Sequence, residues 1–172
     1  MAQNFLEELA AEWYSYQGYF LVRNRRVGKR ERGGYECELD LIAYKHSAKH
    51  LVHIEASTGS GSWSDLEASY QKKFAAGKKY IPTLAESHGF GTLPPVEQIA
   101  LLLYGSKKNR RTLAGGKIVL VEELLKEILD ELAKHDFTSK AVPEHLPLLR
   151  GFQLIAQHRN VLFEQLKGKG VP

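Results

Sequence analysis

Residues 36–57 read ECELDLIAYKHSAKHLVHIEAS, two β-type runs that carry acids where a sheet has no structural use for them. In an extended chain alternate residues share a face. Glu36, Glu38 and Asp40 therefore line one side of the first run, while Cys37, Leu39, Leu41 and Ala43 point to the other. In the second run Leu51, His53, Glu55 and Ser57 oppose Val52, Ile54 and Ala56. The linker His46–Lys49 is short and polar, so the runs read as a hairpin. Pairing them gathers several carboxylates in partial burial, where like charges repel unless a proton or a cation stands between them. A divalent metal is the usual solution.

Outward from this hairpin the spacing predicts a mixed sheet. Leu6, Leu9, Ala10, Trp13 and Gln17 recur at helical intervals, and Asn4 with Glu7 resembles a capping box. Tyr19–Val27 reads as a strand running into a basic stretch, and Gly33-Gly34 as the turn before the acidic run. A helix over roughly 64–81 carries Leu66, Tyr70, Phe74, Gly77 and Ile81 on one stripe. At roughly 100° per residue, Lys73 lies roughly 60° from the stripe centre, Gln71 roughly 100°, and Lys72 points almost directly away. Gln98–Tyr104 is a continuous apolar strand of the doubly buried kind. A short strand at Lys117–Val121, an amphipathic helix through Leu124–Leu132, and a last helix from Leu148 to Leu166 complete the order α-β-β-β-α-β-β-α-α. The expected class is α/β, with helices flanking the sheet. The expected organisation is one domain over 1–140 and a C-terminal helical extension over 141–172 packed on it.

At 172 residues, 43% hydrophobic and 26% charged, the chain can bury a core of its own. The single cysteine, Cys37, excludes an internal disulfide and suits a reduced, cytoplasmic setting. No basic leader precedes an apolar stretch, and no apolar run spans a bilayer, so neither a signal peptide nor a membrane is expected. The net charge is +4, unevenly placed. Arg23, Arg25, Arg26, Lys29, Arg30 and Arg32 crowd one segment; Lys107, Lys108, Arg110 and Arg111 form a second patch, and Lys72, Lys73, Lys78 and Lys79 a third. Each patch reads as a solvated surface or as a contact for a polyanion.

Carboxylates are hard ligands for Mg2+ or Mn2+. Asp40 and Glu55, on neighbouring strands, are the expected pair; Glu38 shares the face and could hold a second ion or a coordinated water. Glu36 reads as a ligand or as a solvated strand start, Glu7 as a helix cap or a contributor. His53 reads as a ligand, a proton shuttle or a hydrogen-bonded buried side chain.

These residues resemble the PD-(D/E)XK nuclease superfamily, with its restriction-endonuclease-like fold, and within it the small YraN-type proteins. The family pattern runs from an ExxA helix through QGY, an RN strand end and GGEIDLIA to VFVEVK. Here the corresponding text is Glu7-Glu-Leu-Ala10, Gln17-Gly-Tyr, Arg23-Asn24, Gly33-Gly-Tyr-Glu-Cys-Glu38-Leu-Asp40-Leu-Ile-Ala43 and Val52-His-Ile-Glu55-Ala-Ser57, within about residues 5–81. The resemblance implies Asp40 and Glu55 as metal ligands, Glu38 as an accessory acid and Glu7 as a helix-borne contributor. The family's lysine orients the attacking water and stabilises negative charge, but here that position is Ser57. Either the lysine has moved to the following helix, as Lys73, or the site is a binding relic. Gln71 is expected to touch a phosphate or a water, or simply to face solvent. The implied function is metal-dependent hydrolysis of DNA phosphodiesters, with RNA left open. The alternative is an inactive scaffold that binds nucleic acid or protein, with a homodimer, or a partner docked on the helix beyond Pro143, as further expectations.

Overall fold

The computed structural model describes residues 4–87, 93–108 and 110–162. The chain divides into two compact units, residues 1–121 and 122–172. The first opens with α1 (Phe5–Tyr16), whose start is fixed by Asn4: its side-chain oxygen accepts from Leu6 N at 3.0 Å. Leu6, Leu9, Ala10 and Trp13 are buried, the stripe that the spacing predicts. There follow β1 (Phe20–Lys29), β2 (Tyr35–Lys45), a single 3-10 turn at His46–Ala48, β3 (His50–Ser57), α2 (Trp63–Ser87), β4 (Val96–Leu102), β5 (Thr112–Leu113) and β6 (Gly116–Leu120).

The six strands form one mixed sheet in the order β1-β2-β3-β4-β6-β5. The hairpins β1–β2 and β2–β3 are antiparallel; β3–β4 and β4–β6 are parallel, and β5 returns antiparallel to β6. A parallel neighbour requires a crossover, and α2 provides it between β3 and β4. β4 is buried along most of its length, as its unbroken apolar run requires. α1 packs on β1, β2 and β3, and α2 on the strands from β1 to β5. The class is α/β, a mixed sheet flanked by helices, with a C-terminal helix.

Two apolar clusters fasten α2 to the sheet. Tyr70 and Phe74 pack with Ala100, Leu102, Leu113, Ile118 and Leu120, while Ile81 packs with Val27, Leu39, Ile42, Tyr44 and Leu51. α2 runs six residues past the predicted end and contains Pro82. Proline removes a helical N–H, but the stripe continues to a buried Ala85, and the packing of Ile81 and Ala85 holds the last turns in place. β5 is absent from the predicted order because two residues display no period.

The second unit contains the body of α3 (Val121–Leu132), with Leu124, Ile128 and Leu132 buried, and α4 (Pro147–Gln157). Within it, Gln153 is fully buried and acts as a pin. Its Oε1 accepts from Val142 N at 2.8 Å, and its Nε2 donates to the Lys140 and His135 carbonyls at 2.9 and 3.3 Å. The predicted helical position Leu166 lies outside the described residues. Among the described residues no helix is long and apolar enough to cross a membrane.

Candidate active site

The β2–β3 register sets Leu41 against Ile54 and so Asp40 beside Glu55, as the alternation predicts. Each acid is tied to the opposite strand: Ala56 N donates to Asp40 Oδ2 at 3.0 Å, and Asp40 N donates to Glu55 Oε1 at 3.3 Å. Lys73 enters from α2 and joins them. Its ammonium donates to Asp40 Oδ2 at 3.0 Å, Asp40 Oδ1 at 3.2 Å and Glu55 Oε2 at 2.5 Å. Tyr70, one helical turn earlier, donates its hydroxyl to the Glu55 carbonyl at 3.2 Å. Ser57 stays on the loop side, its Oγ accepting from Gly59 N at 3.2 Å. The positive charge at the paired acids therefore comes from the helix and not from the strand position.

The electrostatics follow from crowding. Burial, together with the neighbouring Glu55 charge, lifts the Asp40 carboxyl to about 7. Burial also opposes charge on Glu55, but the hydrogen bond from His53 and the Lys73 ammonium outweigh it and hold Glu55 below the ordinary value. Lys73 loses hydration as well, yet the two carboxylates raise it, so it stays charged. The cluster holds one ammonium against two acids. Glu7, raised by burial and by its acidic neighbours against the pull of Lys73, adds to the local negative potential.

Asp40 and Lys73 line a cavity of about 780 Å3 together with Glu7, Glu38, Glu36 and Arg26, with Asn24, Cys37, Ala56, Ser69 and Lys72 completing the wall, while Glu55 lies buried behind them. Glu7 thus faces the site from α1. Glu38 also carries a salt bridge from Arg26 at 3.0 Å, and Glu36 accepts from Tyr80 Oη at 2.5 Å and Lys79 Nζ at 3.2 Å. Cys37, expected on the opposite face, reaches the wall as well. At its start β2 is exposed on both faces, so alternation no longer separates inside from outside there.

One helix position differs from expectation: Lys72 lines the cavity, while Gln71 is exposed, the solvent-facing one of its two expected readings. The cavity lies to one side of α2, along Ser69, Lys72 and Lys73, an i, i+3, i+4 edge. A wheel centred on the core stripe cannot register that offset. Ser69 sits one turn before Lys73 on this edge, and their i, i+4 spacing is the signal for it. Asn24, with φ of 49°, holds a left-handed kink in β1 that asparagine tolerates better than most residues, and only the Arg23-Asn24 pairing pointed to it.

The basic residues separate into two groups. Arg23 is tied to Glu8 of α1 at 2.5 and 3.2 Å, an internal fork. Arg25, Arg26, Lys29, Arg30 and Arg32 are exposed along the β1–β2 hairpin, and Arg26 lines the cavity. Farther along, Arg110 lies over the Trp63 ring at 5.3 Å and pairs with Glu67 at 2.8 Å.

Among the described residues no group of three or more His, Cys, Asp and Glu side chains is arranged to hold a metal ion. The donor chemistry nonetheless fits a hard cation that keeps much of its water shell, since one or two carboxylates suffice for Mg2+. Asp40 supplies such oxygens at the edge of a roomy cavity and Glu55 supplies them from just behind it, and a single ammonium already spans the two. No family model matches the chain, and no curated protein matches it either.

Proposed function

We propose that the protein is a metal-dependent nuclease that hydrolyses DNA phosphodiesters with Mg2+ or Mn2+. The observation that carries this reading is the pair of carboxylates on adjacent strands, Asp40 and Glu55, sharing one helix-borne ammonium, with Asp40 and Lys73 on the wall of an open cavity. Asp40 Oδ and Glu55 Oε2 would hold the ion. When bound, it polarises a phosphoryl oxygen and lowers the pKa of a water. Lys73 takes the part of the missing strand lysine: a fixed positive charge at the acids, placed to stabilise the negative charge that develops on phosphate. Glu38 and Glu7 line the same cavity and would orient water there. The exposed arginines and lysines of the β1–β2 hairpin, with Lys72 at the rim, suit the backbone of a polyanion, which gives salt-dependent affinity.

The expected result is Mn2+- or Mg2+-dependent cutting of plasmid, single-stranded or branched DNA, lost in Lys73→Ala and largely kept in Lys72→Ala. Equal losses in the two variants would remove the special role of Lys73. No cutting of any DNA form under either metal would overturn the assignment.

A second reading draws on the ammonium itself. Lys73 already neutralises part of the acidic pair, and a scaffold so balanced could bind nucleic acid without cutting it. That reading expects salt-sensitive DNA binding, no hydrolysis, and no rise in melting temperature with Mn2+.

A further inference from the structure

Glu55 is gripped from behind by a chain of hydrogen bonds that the roles above leave unused. His53, on the same face of β3, is completely buried, and its Nε2 lies 2.7 Å from Glu55 Oε1. On its other side Nδ1 faces the side-chain nitrogen of Gln98 at 3.5 Å. That nitrogen also donates to the Phe74 carbonyl of α2 at 2.8 Å, which fixes the amide orientation, since an oxygen there would face another oxygen. With an amide N–H directed at Nδ1, the imidazole accepts at Nδ1 and carries its proton on Nε2. The Nε2–H then donates to Glu55.

The ring has no room to turn. It packs edge-on to Phe74 with centroids 5.7 Å apart, and a Cβ at position 77 would collide with its Nδ1 and Cε1, so α2 carries Gly77 where it crosses His53. Glu55 Oε1 is thereby committed to two protein donors, His53 Nε2 and Asp40 N, while Oε2 accepts from the Lys73 ammonium on the side of Asp40.

The geometry points to His53 as a positioning residue. Held in its Nε2–H tautomer by Gln98, it locks Glu55 so that only Oε2 is presented to a divalent cation. This rests on the metal reading of the site proposed above. Partners that orient metal-binding side chains contribute substantially to affinity, and a buried carboxylate oxygen stripped of its donor is costly.

The test is Mn2+ titration of the full chain, alongside melting temperature, for the parent, His53→Leu and His53→Gln. Leucine removes the donor, whereas glutamine returns an amide N–H near the former Nε2. The expected result is Mn2+ affinity at least about tenfold weaker for His53→Leu and within about threefold of the parent for His53→Gln. A purely structural histidine would lower melting temperature and leave affinity alone. Parent and His53→Leu binding Mn2+ equally would overturn the positioning role while leaving the metal site intact. A parent that binds no Mn2+ would remove the metal site and this role with it. Should His53→Leu fail to fold, the 15N imidazole resonances of the parent decide: an Nε2–H tautomer supports the assignment, and an Nδ1–H tautomer overturns it.

Discussion

Strand β3 carries two histidines three residues apart, each paired with a glutamate, His50 with Glu97 of β4 and His53 with Glu55 of its own strand. His50 Nε2 meets Glu97 Oε2 at 2.8 Å, and His53 Nε2 meets Glu55 Oε1 at 2.7 Å. The lengths are nearly equal, but the surroundings differ. His50 and Glu97 are each 39% exposed, and the Tyr19 hydroxyl lies 2.7 Å from His50 Nδ1 to complete a surface chain. His53 and Glu55 are 0% and 1% exposed. Water screens the first pair and replaces either partner when it is lost. Nothing replaces the second, so each of its groups depends on its neighbour: His53 on Gln98, and Glu55 on His53 and Lys73. Contact distance alone does not separate a surface tie from a site; desolvation does.

The comparison can be broken by mutation. Lys73→Met should have the largest effect, on the order of 3 kcal/mol of stability in urea unfolding, because it leaves two buried carboxylates without their cation. A loss no greater than that of a surface pair would erase the distinction. Next is Asp40→Asn followed against pH. Asp40 is faced by Glu55 from β3 and Lys73 from α2, with Glu7 of α1 on the same cavity wall, and its carboxyl is raised to about 7 from an ordinary 3.8. Between those values the folded chain holds the proton more tightly than the unfolded chain. The charge on Asp40 therefore costs nothing below pH 3.8, and its cost grows up to about 7. Asp40→Asn should gain stability relative to the parent across that window and no more beyond it; a flat difference would contradict the raised value. The smallest effect is expected from Glu97→Gln, less than about 1 kcal/mol by the same unfolding measurement.

Much of this was legible in the chain. Period two in 36–57 placed Asp40 beside Glu55, and period 3.6 in α2 chose Lys73, because both are backbone regularities that burial enforces. What was not legible depended on neighbours distant in sequence. Gln98 reaches His53 from β4, whose parallel register with β3 no local pattern announces. The offset of the cavity toward Ser69 and Lys72 follows from how α2 crosses the sheet. Gly77 stood in the core stripe, but its reason, the His53 ring against it, appears only once β3 and α2 are packed together.

On the proposed reading, Asp40 and Glu55 form a cation site at which DNA is cut. Its most direct test is the nicking of supercoiled plasmid in Mn2+ by the parent and by Asp40→Ala, with folding of the variant checked by circular dichroism. The account predicts cutting by the parent and none by the folded variant. Undiminished cutting by Asp40→Ala would contradict it.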